Sequence, residues 1–86
     1  MPGPRTRLLI VDDEPAIRTS LSLVLNEVGF AVRTAEDGFS ALAELRKEIA
    51  DVLVSDLNMP GMSGFELLSV VRRRFPAMKT IAMSGA

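Results

Sequence analysis

The chain contains neither cysteine nor histidine. Without cysteine there is no disulfide, no thiolate metal site and no catalytic thiol. Without histidine, the usual general base near neutral pH and the usual zinc ligand are gone as well. No apolar stretch approaches the roughly 20 residues needed to span a bilayer. An excess of one charge is missing too, because ten Lys and Arg against eleven Asp and Glu give a formal net charge of −1. That balance provides no electrostatic pull toward nucleic acid or an anionic membrane, and neither is expected as a partner. Carboxylates, hydroxyls and backbone must carry whatever chemistry the chain performs.

What is present suffices for one small core. The 86 residues are 48% hydrophobic, which suits a single globular domain and not a disordered chain. The opening Met1-Pro2-Gly3-Pro4-Arg5-Thr6-Arg7 is followed by no long apolar segment of the kind a signal peptide needs. Residues 1–6 read as a flexible arm and residues 7–86 as the domain. A cytoplasmic location is the expectation.

Residues 7–11 form an apolar run without alternation, as in a strand covered on both faces. Asp13-Glu14-Pro15 then opens a helix, with Ile17, Leu21, Val24 and Val28 at helical spacing and Gly29 as its left-handed end. Phe30 to Thr34 reads as a second strand, and Asp37-Gly38 opens a second helix with Leu42, Leu45 and Ile49 on one face. Residues 51–55 read as a third strand. After the turn-forming Asn58-Met59-Pro60-Gly61-Met62, Ser63-Gly64-Phe65-Glu66 has the pattern of a capping box. Leu68, Val71 and Phe75 mark the buried stripe of this third helix, Arg72, Arg73 and Arg74 suit a solvated last turn, and Pro76 stops it. Lys79 to Met83 reads as a fourth strand.

Alternation of this kind predicts a parallel α/β sheet with right-handed crossovers. Ligands of such sheets lie outside the carboxyl ends of the strands. Asp12, Asp13, Asp56 and Ser84 all fall at such ends. Taken singly, Asp12 and Asp13 could cap the first helix and Asp56 could belong to a turn. Taken together, three crowded carboxylates repel one another unless a cation joins them. A hard cation with oxygen ligands, Mg²⁺ above all, is the expected guest.

Several segments resemble the phosphoacceptor receiver domain of two-component response regulators. Val11-Asp12-Asp13-Glu14-Pro15-Ala16-Ile17-Arg18 is similar to the family's acidic opening motif. Ser55-Asp56-Leu57-Asn58-Met59-Pro60-Gly61-Met62-Ser63-Gly64 is similar to its phosphorylation segment, and Ala82-Met83-Ser84-Gly85-Ala86 to its hydroxyl-bearing switch segment. Glu36-Asp37-Gly38 with Ala41-Leu42 fits its second helix. The resemblance implies a flavodoxin-like, three-layer fold with strand order 2-1-3-4. It implies that Asp56 accepts a phosphoryl group from the phosphohistidine of a sensor histidine kinase or phosphotransfer protein. Mg²⁺ (or Mn²⁺) would be held directly by Asp13, Asp56 and the backbone carbonyl of Asn58, and through water by Asp12. Ser84 would donate a hydrogen bond to the phosphoryl group and report its arrival. The domain would not be an enzyme in its own right, although it would assist its own phosphoryl transfer and dephosphorylation.

The resemblance also implies a further helix, strand and helix, carrying a lysine for the phosphoryl group and a switching aromatic. The sequence ends at Ala86, before these, and Lys79 begins its strand at the far end from the acids. The expectation is therefore a receiver truncated after the fourth strand, more dependent on metal and with a weakened switch. Its open fourth-strand edge and exposed Leu23 and Leu25 would favour a homo-oligomer. The main alternative is a receiver-like interaction module that is not phosphorylated. A phosphohydrolase with an aspartate nucleophile is disfavoured by the lack of a substrate-binding insert, and a flavin protein by the lack of a phosphate loop after the first strand.

Overall fold

In the computed structural model, which describes residues 5–84, the first apolar run forms strand β1 (Arg7–Val11). Helix α1 (Pro15–Val28), β2 (Ala31–Ala35), α2 (Gly38–Lys47), β3 (Val52–Asp56), α3 (Gly64–Arg74) and β4 (Lys79–Met83) follow. All four strands are parallel, in the order β2-β1-β3-β4. The α/β class and strand order expected from the sequence are those found. Of the arm read over residues 1–6, residues 1–4 lie outside the described residues, while the Thr6 carbonyl accepts a hydrogen bond of 2.9 Å from the Ala31 N–H.

The two faces of the sheet are filled unequally. Helices α2 and α3 cover one face, and Leu9, Val11 and Leu53 from the strands meet Ala41, Leu45, Leu67, Leu68 and Val71 there. A large aliphatic side chain buried to this degree contributes about 1.5–3 kcal/mol. Helix α1 packs on the other face, against β1 and β2, where Leu8 and Ile10 are buried. No residue of α1 itself is buried.

The rotation of α1 differs from the expected stripe. The expectation was Ile17, Leu21, Val24 and Val28, yet Val24 and Val28 are 59% and 68% exposed. The half-buried positions are Arg18, Leu21, Ser22 and Leu25. A polar contact accounts for the turn: the Arg18 guanidinium donates to the Asp12 carbonyl at 2.7 Å, fixing which side of the helix faces β1. Leu25 thus lies on the sheet side, contrary to its expected exposure, whereas Leu23 is 65% exposed. Ile49 likewise lies outside α2 and is exposed, because Glu48 already adopts extended backbone as the C-cap. Arg33 donates to the carbonyls of Glu44 and Glu48, satisfying the last turn of α2 from the neighbouring strand.

Local signals at the other helix ends are realised. Gly29 takes φ +119° and its N–H returns to the carbonyls of Leu25 and Asn26. The Asp37 side chain accepts from the Ser40 N–H at 2.7 Å, and Ser63 with Glu66 forms the complete capping box at α3. Gly64 does something the sequence did not disclose. A Cβ at this position would lie 2.0 Å from the Asp56 carbonyl oxygen and 2.6 Å from the Leu57 Cα. Only a residue without a side chain lets the start of α3 sit this close to the end of β3.

Two depressed carboxylates give the fold an acid-side dependence. The Arg7 backbone N–H, at 2.8 Å, and then its guanidinium hold Asp51 below the ordinary 3.8, and the Ser40 N–H does the same for Asp37. Such groups stabilise the fold above their unfolded value and cease to do so as pH falls through the lower folded value. Unfolding in urea at pH 5 and at pH 3 should therefore show a loss of stability on acidification. Asp51→Asn should make that loss smaller, and an unchanged loss would assign it to other groups. Gly64→Ala should destabilise the fold by about 1–3 kcal/mol or more, as overpacking against rigid backbone does. Denaturation midpoints measure it directly.

Candidate functional site

β1 and β3 are hydrogen-bonded neighbours in the register Leu8↔Val52 through Val11↔Ser55. Carried one residue further, that register sets Asp12 level with Asp56. The two strands deliver three acids to one edge because Asp13 follows Asp12 directly. One carboxylate oxygen from each of Asp12, Asp13 and Asp56 lies within 4.8 Å of the others. The convergence anticipated from the sequence is therefore present.

The three acids differ in setting. Asp12 is 3% exposed, Asp56 is half-buried and Asp13 is exposed. The Asp12 Oδ1 accepts from the Glu14 N–H at 2.9 Å, and the Asp56 Oδ1 accepts from the Asn58 N–H at 3.0 Å. Each bond is a local turn of aspartate onto the backbone two residues on, which fixes the side chain while leaving its second oxygen free of donors among the described residues. Neither Asp12 nor Asp13 is the helix cap that either alone could have been. Glu14 is the N-cap residue of α1 and makes no side-chain cap bond.

Among the described residues, no Lys or Arg forms an ion pair with any of the three acids. Arg18 donates to the Asp12 carbonyl and to none of the three carboxylates among the described residues. A cluster of oxygen donors with no protein counter-charge has the chemistry of a hard divalent cation site, where Asp12, Asp13 and Asp56 fit as carboxylate ligands or water-holding neighbours.

Ser84 reaches the same edge by way of β4. Met83 is the register partner of Asp56, and its carbonyl accepts from the Leu57 N–H at 3.0 Å. Ser84 follows it and is exposed. Gly85 and Ala86, the last residues of the expected switch segment, lie outside the described residues. Asn58 is exposed on the loop after β3, with its N–H directed to Asp56. Lys79 begins β4 at the opposite edge, as expected.

Two residues that shape the site had no individual sequence signal. Arg18 stood within the acidic motif, but only the fold shows its guanidinium bracing the Asp12 backbone. Gly64 stood within the capping box, but its contact with Asp56 is made through space. The Gly-Phe-Glu order following Ser63 suggests a helix start and nothing about what that start touches.

The description "response regulator receiver domain" matches residues 8–86 of the chain. The probable transcriptional regulatory protein TcrX of Mycobacterium tuberculosis is 35% identical over 83 residues, which make up 96% of this chain and 36% of that protein. The chain thus spans a minority of the length of the curated relatives it matches. Among solved structures, the response regulator protein TrrA of Thermotoga maritima in complex with Mg²⁺-BeF is similar at a TM-score of 0.89 and 37% identity, covering 94% of this chain and 70% of that one. TrrA in complex with the histidine kinase ThkA gives a TM-score of 0.87 and 38% identity, covering 93% of this chain and 69% of that one. With the match running through both acidic segments and the sheet ordered as found, the chain belongs to the response regulator receiver domain family.

Proposed function

We propose that Asp56 is a phosphoacceptor in a two-component phosphorelay, its donor being the phosphohistidine of a sensor histidine kinase or phosphotransfer protein. The observation that carries this reading is the convergence of Asp12, Asp13 and Asp56, with oxygens inside 4.8 Å and no ion pair to a Lys or Arg among the described residues. The Mg²⁺-BeF complex of TrrA and its complex with a histidine kinase support both the metal and the donor class.

In the proposed step the second carboxylate oxygen of Asp56 attacks phosphorus. A P–O bond forms, the P–N bond to the donor imidazole breaks, and the electron pair remains on that nitrogen. The Asn58 N–H holds the other Asp56 oxygen at 3.0 Å, so the attacking oxygen is aimed before the donor arrives. No proton need leave Asp56, which suits a chain without histidine. Asp13 and Asp56, with the Asn58 backbone carbonyl, would hold Mg²⁺ (or Mn²⁺) directly, and Asp12 through water. When bound, the ion supplies positive charge against the carboxylate and the transferring phosphoryl oxygens. Ser84 donates a hydrogen bond to the phosphoryl group from the end of β4. The domain assists this transfer and the later hydrolysis of its own acyl phosphate, and turns over no separate substrate.

A second reading concerns association. β4 is the edge strand of the sheet, and Ile81 on it is 53% exposed. An apolar edge with unpaired backbone groups is a template for another strand. Two copies joined through β4 would cover it, whether or not Asp56 is modified.

Incubation with acetyl phosphate and Mg²⁺ should add one phosphoryl group by mass spectrometry. Asp56→Asn and chelation of the metal should each abolish the addition, and Asp13→Asn should raise the Mg²⁺ concentration needed for half-maximal addition by about tenfold or more. Equal labelling of Asp56→Asn would place the acceptor elsewhere. For association, sedimentation should show a dimer or larger species that Ile81→Asp converts to monomer. A folded monomer at high concentration would remove that reading.

A further inference from the structure

The edge of the sheet opposite the acids holds a cavity of about 530 Å³ that phosphoacceptance does not use. Its walls come from the segment before β3, including Ile49 and Ala50, and from the turn between α3 and β4, including Phe75, Pro76 and Met78. Phe75 and Met78 also reach the main core, so the floor belongs to the packed interior. Asp51 to Asp56 spans five strand steps, roughly 17 Å, which separates this cavity from the acidic edge.

The rim of the cavity carries charge. Arg74 and Lys79 both line it and both are exposed. Neither forms an ion pair among the described residues. The third charged group on the rim is Asp51, and it is already committed to Arg7. Its carboxylate accepts the Arg7 N–H at 2.8 Å and the Arg7 guanidinium at 3.4 Å. Glu48 lies 3.9 Å from the same guanidinium. The acidic charge of this edge is thus drawn toward Arg7, and two cations remain over an apolar hollow.

A hollow of this size lies within the ~300–1,000 Å³ range of small-molecule sites, where an apolar body and a few placed polar groups define the ligand. We infer that the groove between the α2–β3 and α3–β4 connections binds a small amphipathic carboxylate, with its apolar body against Ile49, Phe75 and Met78 and its anionic head at Arg74 and Lys79. Charge complementarity selects the head group. A neutral ligand of the same shape would leave both cations unpaired, and a cationic one would meet them as like charges. The concave form with two loop walls favours a small molecule over an extended peptide, which would need a strand edge or a long helix groove.

The probes are naphthalene-2-carboxylate and decanoate, with naphthalene-2-carboxamide as the neutral match. Each is titrated to millimolar concentration into the isotope-labelled chain and followed by two-dimensional NMR. Saturable shifts are expected at the amides of residues 49–51, 75 and 77–79 for the carboxylates, with affinity for the carboxamide weaker by about tenfold or more. The exposed pair Arg74→Gln and Lys79→Gln should reduce carboxylate affinity by a similar factor, and Ile49→Asp should reduce it independently. Asp56→Asn should leave binding unchanged, so this test and the phosphoacceptor test succeed or fail separately. Equal affinity for carboxylate and carboxamide, shifts centred outside these residues, or full affinity in the double variant would each overturn the assignment. Displacement of the signal to an acidic peptide, with both small carboxylates inactive, would overturn it as well.

Discussion

The parallel hydrogen-bonded ladder between β1 and β3 is the constraint on which the rest depends. It joins two segments more than forty residues apart and fixes their register, so that the residues following Val11 stand beside the end of β3. Parallel pairing is what lets two strands end at the same edge. An antiparallel pair would have separated the acids by the length of a strand. A slip of one residue between them would have turned either Leu9 or Leu53 out of the core that α2 and α3 enclose. The hydrophobic pattern thus protects the placement of the acids, because the register that buries Leu9 and Leu53 is also the one that brings Asp12 to Asp56.

The acidic edge is built from short-range and long-range parts that serve different ends. Backbone turns at Asp12 and Asp56 orient single side chains within two residues. Arg18 and Gly64 act over longer distances, one bracing the chain after β1 and the other letting α3 close on the end of β3. The charge that the cluster lacks is as telling as the charge it has. Arg18 is engaged on the Asp12 carbonyl, and Arg7 and Arg33 are held away from the acids, on Asp51 and on the end of α2. Three carboxylates at one edge, without an ion pair among the described residues, are stable only with compensation from water or a cation.

Much of this was legible in the sequence. The strands at Arg7–Val11 and Lys79–Met83, the left-handed Gly29 and the capping box at Ser63 each carry a signal within a few residues. The acidic cluster was legible because alternating elements force the strand ends together. The orientation of α1 was not, since Ile17, Leu21, Val24 and Val28 fit a 3.6-residue period as well as the true contact face does. What selects that face is Arg18, a polar residue that no hydrophobic pattern marks. The end of α2 before Ile49 was hidden for a similar reason, as the groups satisfying its carbonyls belong to Arg33 on another strand. Steric fit at Gly64 has no local sequence trace at all, because a glycine in a helix start is compatible with many surroundings.

The absent side chain at Gly64 also has a mechanical meaning. With no cushion between the start of α3 and the peptide after Asp56, little slack exists to absorb a displacement there, and the helix answers as a stiff lever. An 11-residue helix is about 16 Å long, so a tilt of roughly 5° at its pivot would carry its far end about 1.4 Å. That far end is Arg74, and the lever therefore runs from one edge of the sheet to the other.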